Sequence, residues 1–128
     1  MRAIDSNVVV RYLTGDHPEQ AAKARTAVEA GHVFASTTAL LESEWVLRSV
    51  YGFAGKEVAA ALRAFAGLPG VSVESAVLLA EALDRAEKGM DFADALHLGA
   101  AARCDAMLTF DRRFIEMARD APITVMEP

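Results

Sequence analysis

The chain is expected to fold as an α/β protein, a three-layer α/β/α sandwich around a central, mostly parallel sheet of four to five short strands. Three observations predict this. Short, mostly apolar runs recur at Val33-Phe34-Ala35, Val71-Ser72-Val73, Ala106-Met107-Leu108 and Ile123-Thr124-Val125, each too short for a helix. Helical stretches separate them, the alternation that builds strand–helix–strand units with helices on both faces of a parallel sheet. Glycine, proline or small polar residues punctuate the boundaries.

Taken in order, a strand is expected over 3–5 and a helix over 6–14. Gly15-Asp16-His17-Pro18 breaks the chain, and Pro18 suits a first helical position, where its missing N–H has no intrahelical partner to lose. The second helix runs from 19 to about 30 and stops at Gly31. After a strand over 33–35, Ser36, Thr37 and Thr38 offer capping oxygens to a helix reaching about 50, which Tyr51-Gly52 ends. A helix over 55–66, one turn at Gly67-Leu68-Pro69-Gly70 and a strand over 71–73 follow. Helices over 75–88, closed by Gly89, and over 92–104 lead to a fourth strand over 106–108. A helix over 112–119 and a strand over 123–125, just after Pro122, complete a single domain of residues 1–128.

Composition narrows the function. A 53% hydrophobic, 24% charged chain of 128 residues is globular and long enough to bury a sizeable core. Its net charge of −5 counts against a broad nucleic-acid face, because phosphate binding is dominated by lysine and arginine. Four acids serving as metal ligands would account for most of that excess, and a bound cation inverts the local field. One cysteine, Cys104, permits no internal disulfide and is expected to be a small buried residue. The N-terminus lacks the apolar core of a signal peptide, and no apolar run approaches the ~20 residues of a membrane span, so a soluble cytoplasmic protein is expected.

Four acids sit where chemistry would want them. Asp5 directly follows the first strand, with Asn7 two positions on, and Asp111 follows the fourth strand, with Thr109 nearby. Ligands in open α/β sheets bind beyond the carboxyl ends of strands. Glu42 is expected on a helix face with Thr38, Trp45, Val46 and Ser49, leaving Glu44 on the solvated side. Asp94 starts an Ala-rich helix apolar enough to be buried, with Asp91 three residues before it. Each acid also has an ordinary reading, since aspartate is a preferred helix cap and acids suit a first turn.

Carboxylates gathered at one point raise each other's pKa unless a cation binds them. An all-oxygen set suits Mg²⁺, with Mn²⁺ as a substitute, and the absence of cysteine or paired-histidine spacing argues against zinc. Such a centre polarises a phosphoryl oxygen and activates water, which is phosphodiester hydrolysis. His17, His32 and His97 are weaker candidates, and His97 is expected to be a buried structural histidine. No P-loop, dinucleotide fingerprint or nucleophile elbow is present.

The motifs Asp5-Ser6-Asn7, Leu41-Glu42-Ser43-Glu44-Trp45-Val46-Leu47, Asp91-Phe92-Ala93-Asp94-Ala95 and Thr109-Phe110-Asp111 occur in an order that resembles PIN-domain proteins, most closely VapC-type toxins of bacterial toxin–antitoxin pairs. The resemblance spans nearly the whole chain. It implies a PIN-like fold and a Mg²⁺-dependent endoribonuclease, usually a homodimer, silenced by a cognate antitoxin protein. By position, Asp5, Glu42, Asp94 and Asp111 match the acidic quartet, with Asp5 and Asp94 as direct metal ligands and the other two acting through water. Asp91 matches an additional acid and Thr109 a hydroxyl residue beside the last one.

Arg11, Arg48, Arg112 and Arg113 flank these acids and are expected to contact RNA phosphates at the rim. Two rival readings remain. One is a non-catalytic PIN-like module that only binds a protein. The other is a phosphatase with Asp5 as nucleophile, but the second aspartate such enzymes place two residues on is here Asn7.

Overall fold

The computed structural model describes residues 1–128. Its elements run β1 (Arg2–Ala3), α1 (Ser6–Thr14), α2 (Pro18–Glu29), β2 (Val33–Ala35), α3 (Thr37–Ser49), α4 (Gly55–Ala66), β3 (Val71–Val73), α5 (Ala76–Glu87), α6 (Phe92–Ala100), β4 (Ala106–Leu108), α7 (Arg112–Met117) and β5 (Thr124–Met126). The chain is mixed α/β, every strand pairing is parallel, and helices flank the sheets. The strands pair as a sheet of three, in the order β1-β2-β3, and a sheet of two, β4-β5. No helix is long and apolar enough to cross a membrane.

Two compact units divide the chain, Met1–Ala76 and Val77–Pro128. In the first, β2 pairs Val33 with Arg2 on one side and Val71 on the other. Val33 and Ala35, which share one face of this inner strand, are buried, and Phe34 on the opposite face is half-buried. Helix α1 packs on α2 and α3, and α3 packs on α4, through a core that includes Val9, Leu40, Leu62 and Phe65. Tyr12 meets Phe65 edge to face at 5.4 Å. Pro18 occupies the first turn of α2, and the His17 Nδ1 accepts from the Gln20 N–H at 3.2 Å, so His17 is a helix cap. In the second unit, Leu79, Leu83, Phe92, Ala95, Leu98 and Phe114 are buried.

Several expectations need correction. Helix α6 ends at Ala100 and is followed by a turn, so Cys104 lies outside it and is exposed, not buried. Helix α7 is two residues shorter than the span 112–119, and the last strand begins at Thr124 and reaches Met126. His97 is exposed on α6, so it is not a core histidine.

The main revision concerns α3. Its buried positions are Leu40, Ser43, Glu44 and Leu47, the spacing of one helical face. Trp45 is 54% exposed, so the bulkiest apolar side chain does not mark the inner face. Glu44, at 5% exposure, is the buried acid, and Glu42 is exposed. One turn on, the Arg48 Nε and Nη2 donate to Glu44 Oε2 and Oε1 at 3.0 and 3.3 Å. A carboxylate can sit there because a forked guanidinium meets both of its oxygens.

Candidate active site

The acids with functional potential form one group in each unit. In Met1–Ala76, β1 delivers the chain through Ile4 to Asp5, which caps α1 with extended backbone. Asp5 Oδ1 accepts from the Ser6 N–H at 2.6 Å and from the Ser6 hydroxyl at 3.1 Å. The same hydroxyl donates to Glu42 Oε1 on α3. Ser6 thus lies between two carboxylates 37 positions apart in sequence. Sequence reasoning misses it, because a serine after a capping aspartate reads as ordinary helix-start chemistry. Each acid engages one oxygen in this way, and Asp5 Oδ2 and Glu42 Oε2 accept nothing from the protein. Asn7 is exposed one residue further along α1.

In Val77–Pro128, Asp91 caps α6 and accepts from the Asp94 N–H at 3.2 Å. Asp111 caps α7, its Oδ1 taking the N–H groups of Arg113 and Phe114 at 3.0 and 3.2 Å. The Thr109 hydroxyl oxygen accepts the Asp111 N–H at 3.0 Å and so fixes the turn that presents this acid. Asp91, Asp94 and Asp111 line one cavity of about 270 Å³, together with Arg113 and Phe114.

Asp94 differs from its neighbours. It is half-buried, and its carboxyl oxygens accept no hydrogen bond. Burial, then Asp91, then Asp111 push its pKa above the ordinary carboxylate value, and nearby His97 opposes them. A half-buried negative charge without a donor is costly, and a cation is its natural complement.

The donor chemistry fits a hard divalent ion. Asp5, Glu42, Asp94 and Asp111 all keep at least one carboxylate oxygen without a hydrogen-bond donor, and the one cysteine is remote in sequence from all but Asp111. No three acidic, histidine or cysteine side chains stand together closely enough to grip an ion by themselves. An ion bound by either group of acids would need water ligands, as Mg²⁺ commonly keeps several.

The arginines separate into two kinds. The Arg11 Nε donates to Gln20 Oε1 at 2.8 Å, and its Nη1 donates to the Tyr51 hydroxyl at 2.8 Å and Asp16 Oδ1 at 3.3 Å. Tyr51 in turn donates to Asp16 Oδ2 at 2.7 Å. These bonds hold the Asp16 carboxyl below its ordinary pKa, with Tyr51 the leading cause. Arg11 and Arg48, both expected at an RNA-binding rim, are thus engaged by acids of their own unit, Asp16 and Glu44. Arg112 has only a 3.9 Å contact to Glu127 between exposed side chains, and Arg113 is exposed at the acidic cavity.

A family model described as PIN domain matches residues 3–120. No curated protein and no solved structure matches the chain.

Proposed function

The chain belongs to the PIN domain family, whose members are typically metal-dependent nucleases, and from that premise we propose that it is a Mg²⁺-dependent endoribonuclease. In this reading it is the toxin of a VapC-type toxin–antitoxin pair, and both units together make one nuclease domain. Asp5, Glu42, Asp94 and Asp111 are the acids that hold the cation. The observation that carries the reading is the donor-free, half-buried carboxyl of Asp94 beside Asp91 and Asp111.

When bound, the cation supplies Lewis-acid polarisation of the phosphate and a more acidic water. The protein's own side chains do the remaining work. Asp91 and Thr109 set the turns that present Asp94 and Asp111. Arg113, exposed beside the acids, is placed to meet a backbone phosphate, and Arg112 extends that cationic edge. Changing both arginines to Glu is expected to weaken RNA binding about tenfold at low salt, with the gap narrowing as salt rises. An unchanged Kd in a filter-binding titration rejects their role.

The deciding experiment incubates the purified chain with defined transfer and ribosomal RNAs, with Mg²⁺, Mn²⁺ or excess chelator. Discrete cuts are expected only with the metal. Full cleavage in chelator removes the metal from the reaction, and no cleavage under any condition favours the non-catalytic binding module. That second reading draws support from exposed apolar side chains at Trp45, Val50 and Phe53. In the toxin reading the same surface serves protein partners, a second copy and the antitoxin.

A further inference from the structure

We propose that Ser6 is a positioning residue whose hydroxyl holds Asp5 and Glu42 at a set separation for a divalent cation without neutralising either. The proposal rests on the nuclease reading above and adds a residue to it. Ser6 is buried to 7% exposure, although it begins a helix and belongs to a small polar type that is mostly exposed. Its hydroxyl oxygen contacts Asp5 Oδ1 at 3.1 Å and Glu42 Oε1, which joins the start of α1 to the middle of α3.

The choice of residue matters. A hydroxyl has one proton, so it serves two carboxylate oxygens in turn and leaves both acids charged. An arginine or lysine in its place would draw the acids together equally well, but it would also supply the positive charge that a metal should bring. Glu44 illustrates that alternative on the same helix, since Arg48 engages both of its oxygens. At Ser6 the second oxygen of each acid accepts nothing, so two hard donors stay free and negatively charged. With the hydroxyl removed, Asp5 keeps only its backbone donor, no group bridges the two carboxylates, and Glu42, exposed on α3, is free to swing away.

The test measures Mn²⁺ binding by calorimetry to metal-free wild type, Ser6→Ala and Ser6→Thr, with circular dichroism confirming the fold of each. Ser6→Ala is expected to weaken Mn²⁺ binding about tenfold, the lower range for removing a partner of a metal-ligating group, and Ser6→Thr to restore most of it. The Ser6→Ala loss should also shrink to within about twofold when measured in a Glu42→Gln background, because one of the two tethered charges is then gone. Wild-type affinity in folded Ser6→Ala overturns the proposal alone, as does a Ser6→Thr variant that folds but binds as poorly as Ser6→Ala. Failure of wild type itself to bind Mn²⁺ overturns the nuclease reading, and this proposal with it.

Discussion

Replacing Asp94 by Asn is expected to reduce RNA cleavage about a thousandfold or more while raising the melting temperature of the cation-free protein by roughly 2 °C. The two effects have one origin. The folded chain raises the Asp94 pKa above its ordinary 3.8, so the native state holds this proton more tightly than the unfolded chain does. Stability contributed by such a group is present at low pH and declines as pH climbs from about 3.8 through the raised value. Above that window the wild-type protein carries an uncompensated charge that Asn lacks. The gain from Asn is about 0.5 kcal/mol, since the site is only partly buried and solvent screens it. It should vanish at pH 3. Saturating Mg²⁺ or Mn²⁺ should reverse the ranking, because a ligand that binds only the native state stabilises it and the Asn variant binds it poorly. Thermal melts of both proteins at pH 3 and pH 7, with and without metal, check the whole pattern. A variant that melts lower than wild type in chelator at pH 7 rules out an uncompensated Asp94 charge as the common cause.

Gly70→Ala is expected to cost about 2 kcal/mol, equivalent to roughly 7 °C in melting temperature. Gly70 enters β3, and a Cβ there would lie 2.7 Å from the Gly31 Cα and 3.1 Å from the Val28 carbonyl oxygen. Both are backbone atoms, so no side-chain rotation relieves the clash. Gly31 itself has a positive φ of 81°, which fixes the end of α2 at this crossing. The Gly70 carbonyl also accepts the Val33 N–H at 2.9 Å, at the mouth of the β2–β3 pairing. Urea denaturation of the two proteins measures the cost, and a change below about 0.5 kcal/mol would show that the crossing has slack.

The periodic pattern makes most of the fold legible. The spans of α1, α4, β2, β3 and β4 follow directly from the alternation of helical stretches with short apolar runs, and Ser36 and Pro18 mark helix starts as expected. Element ends are less legible where signals are weak. The Ala-rich run into Cys104 has high helix propensity but lacks side chains bulky enough to keep its last turn packed, and α6 stops at Ala100. On α3 the sequence misleads because a tryptophan suggests the inner face. The buried stripe instead follows the leucines at 40 and 47, and the acid on it is Glu44, which Arg48 neutralises. Glu42 stands out in the sequence for a burial that it does not have, and its hydrogen bond from Ser6 is one that no helical periodicity reveals. Contacts between residues so distant in sequence are invisible to local pattern.

Three of the acids at issue, Asp5, Asp91 and Asp111, also begin helices. Inactivating substitutions at these places therefore report two things at once. Alanine would strip a helix start of its acceptor, at about 1 kcal/mol, besides removing a charge, whereas asparagine keeps the acceptor and removes the charge alone. A dead alanine variant would leave damaged folding and lost chemistry indistinguishable. A dead asparagine variant would isolate the charge.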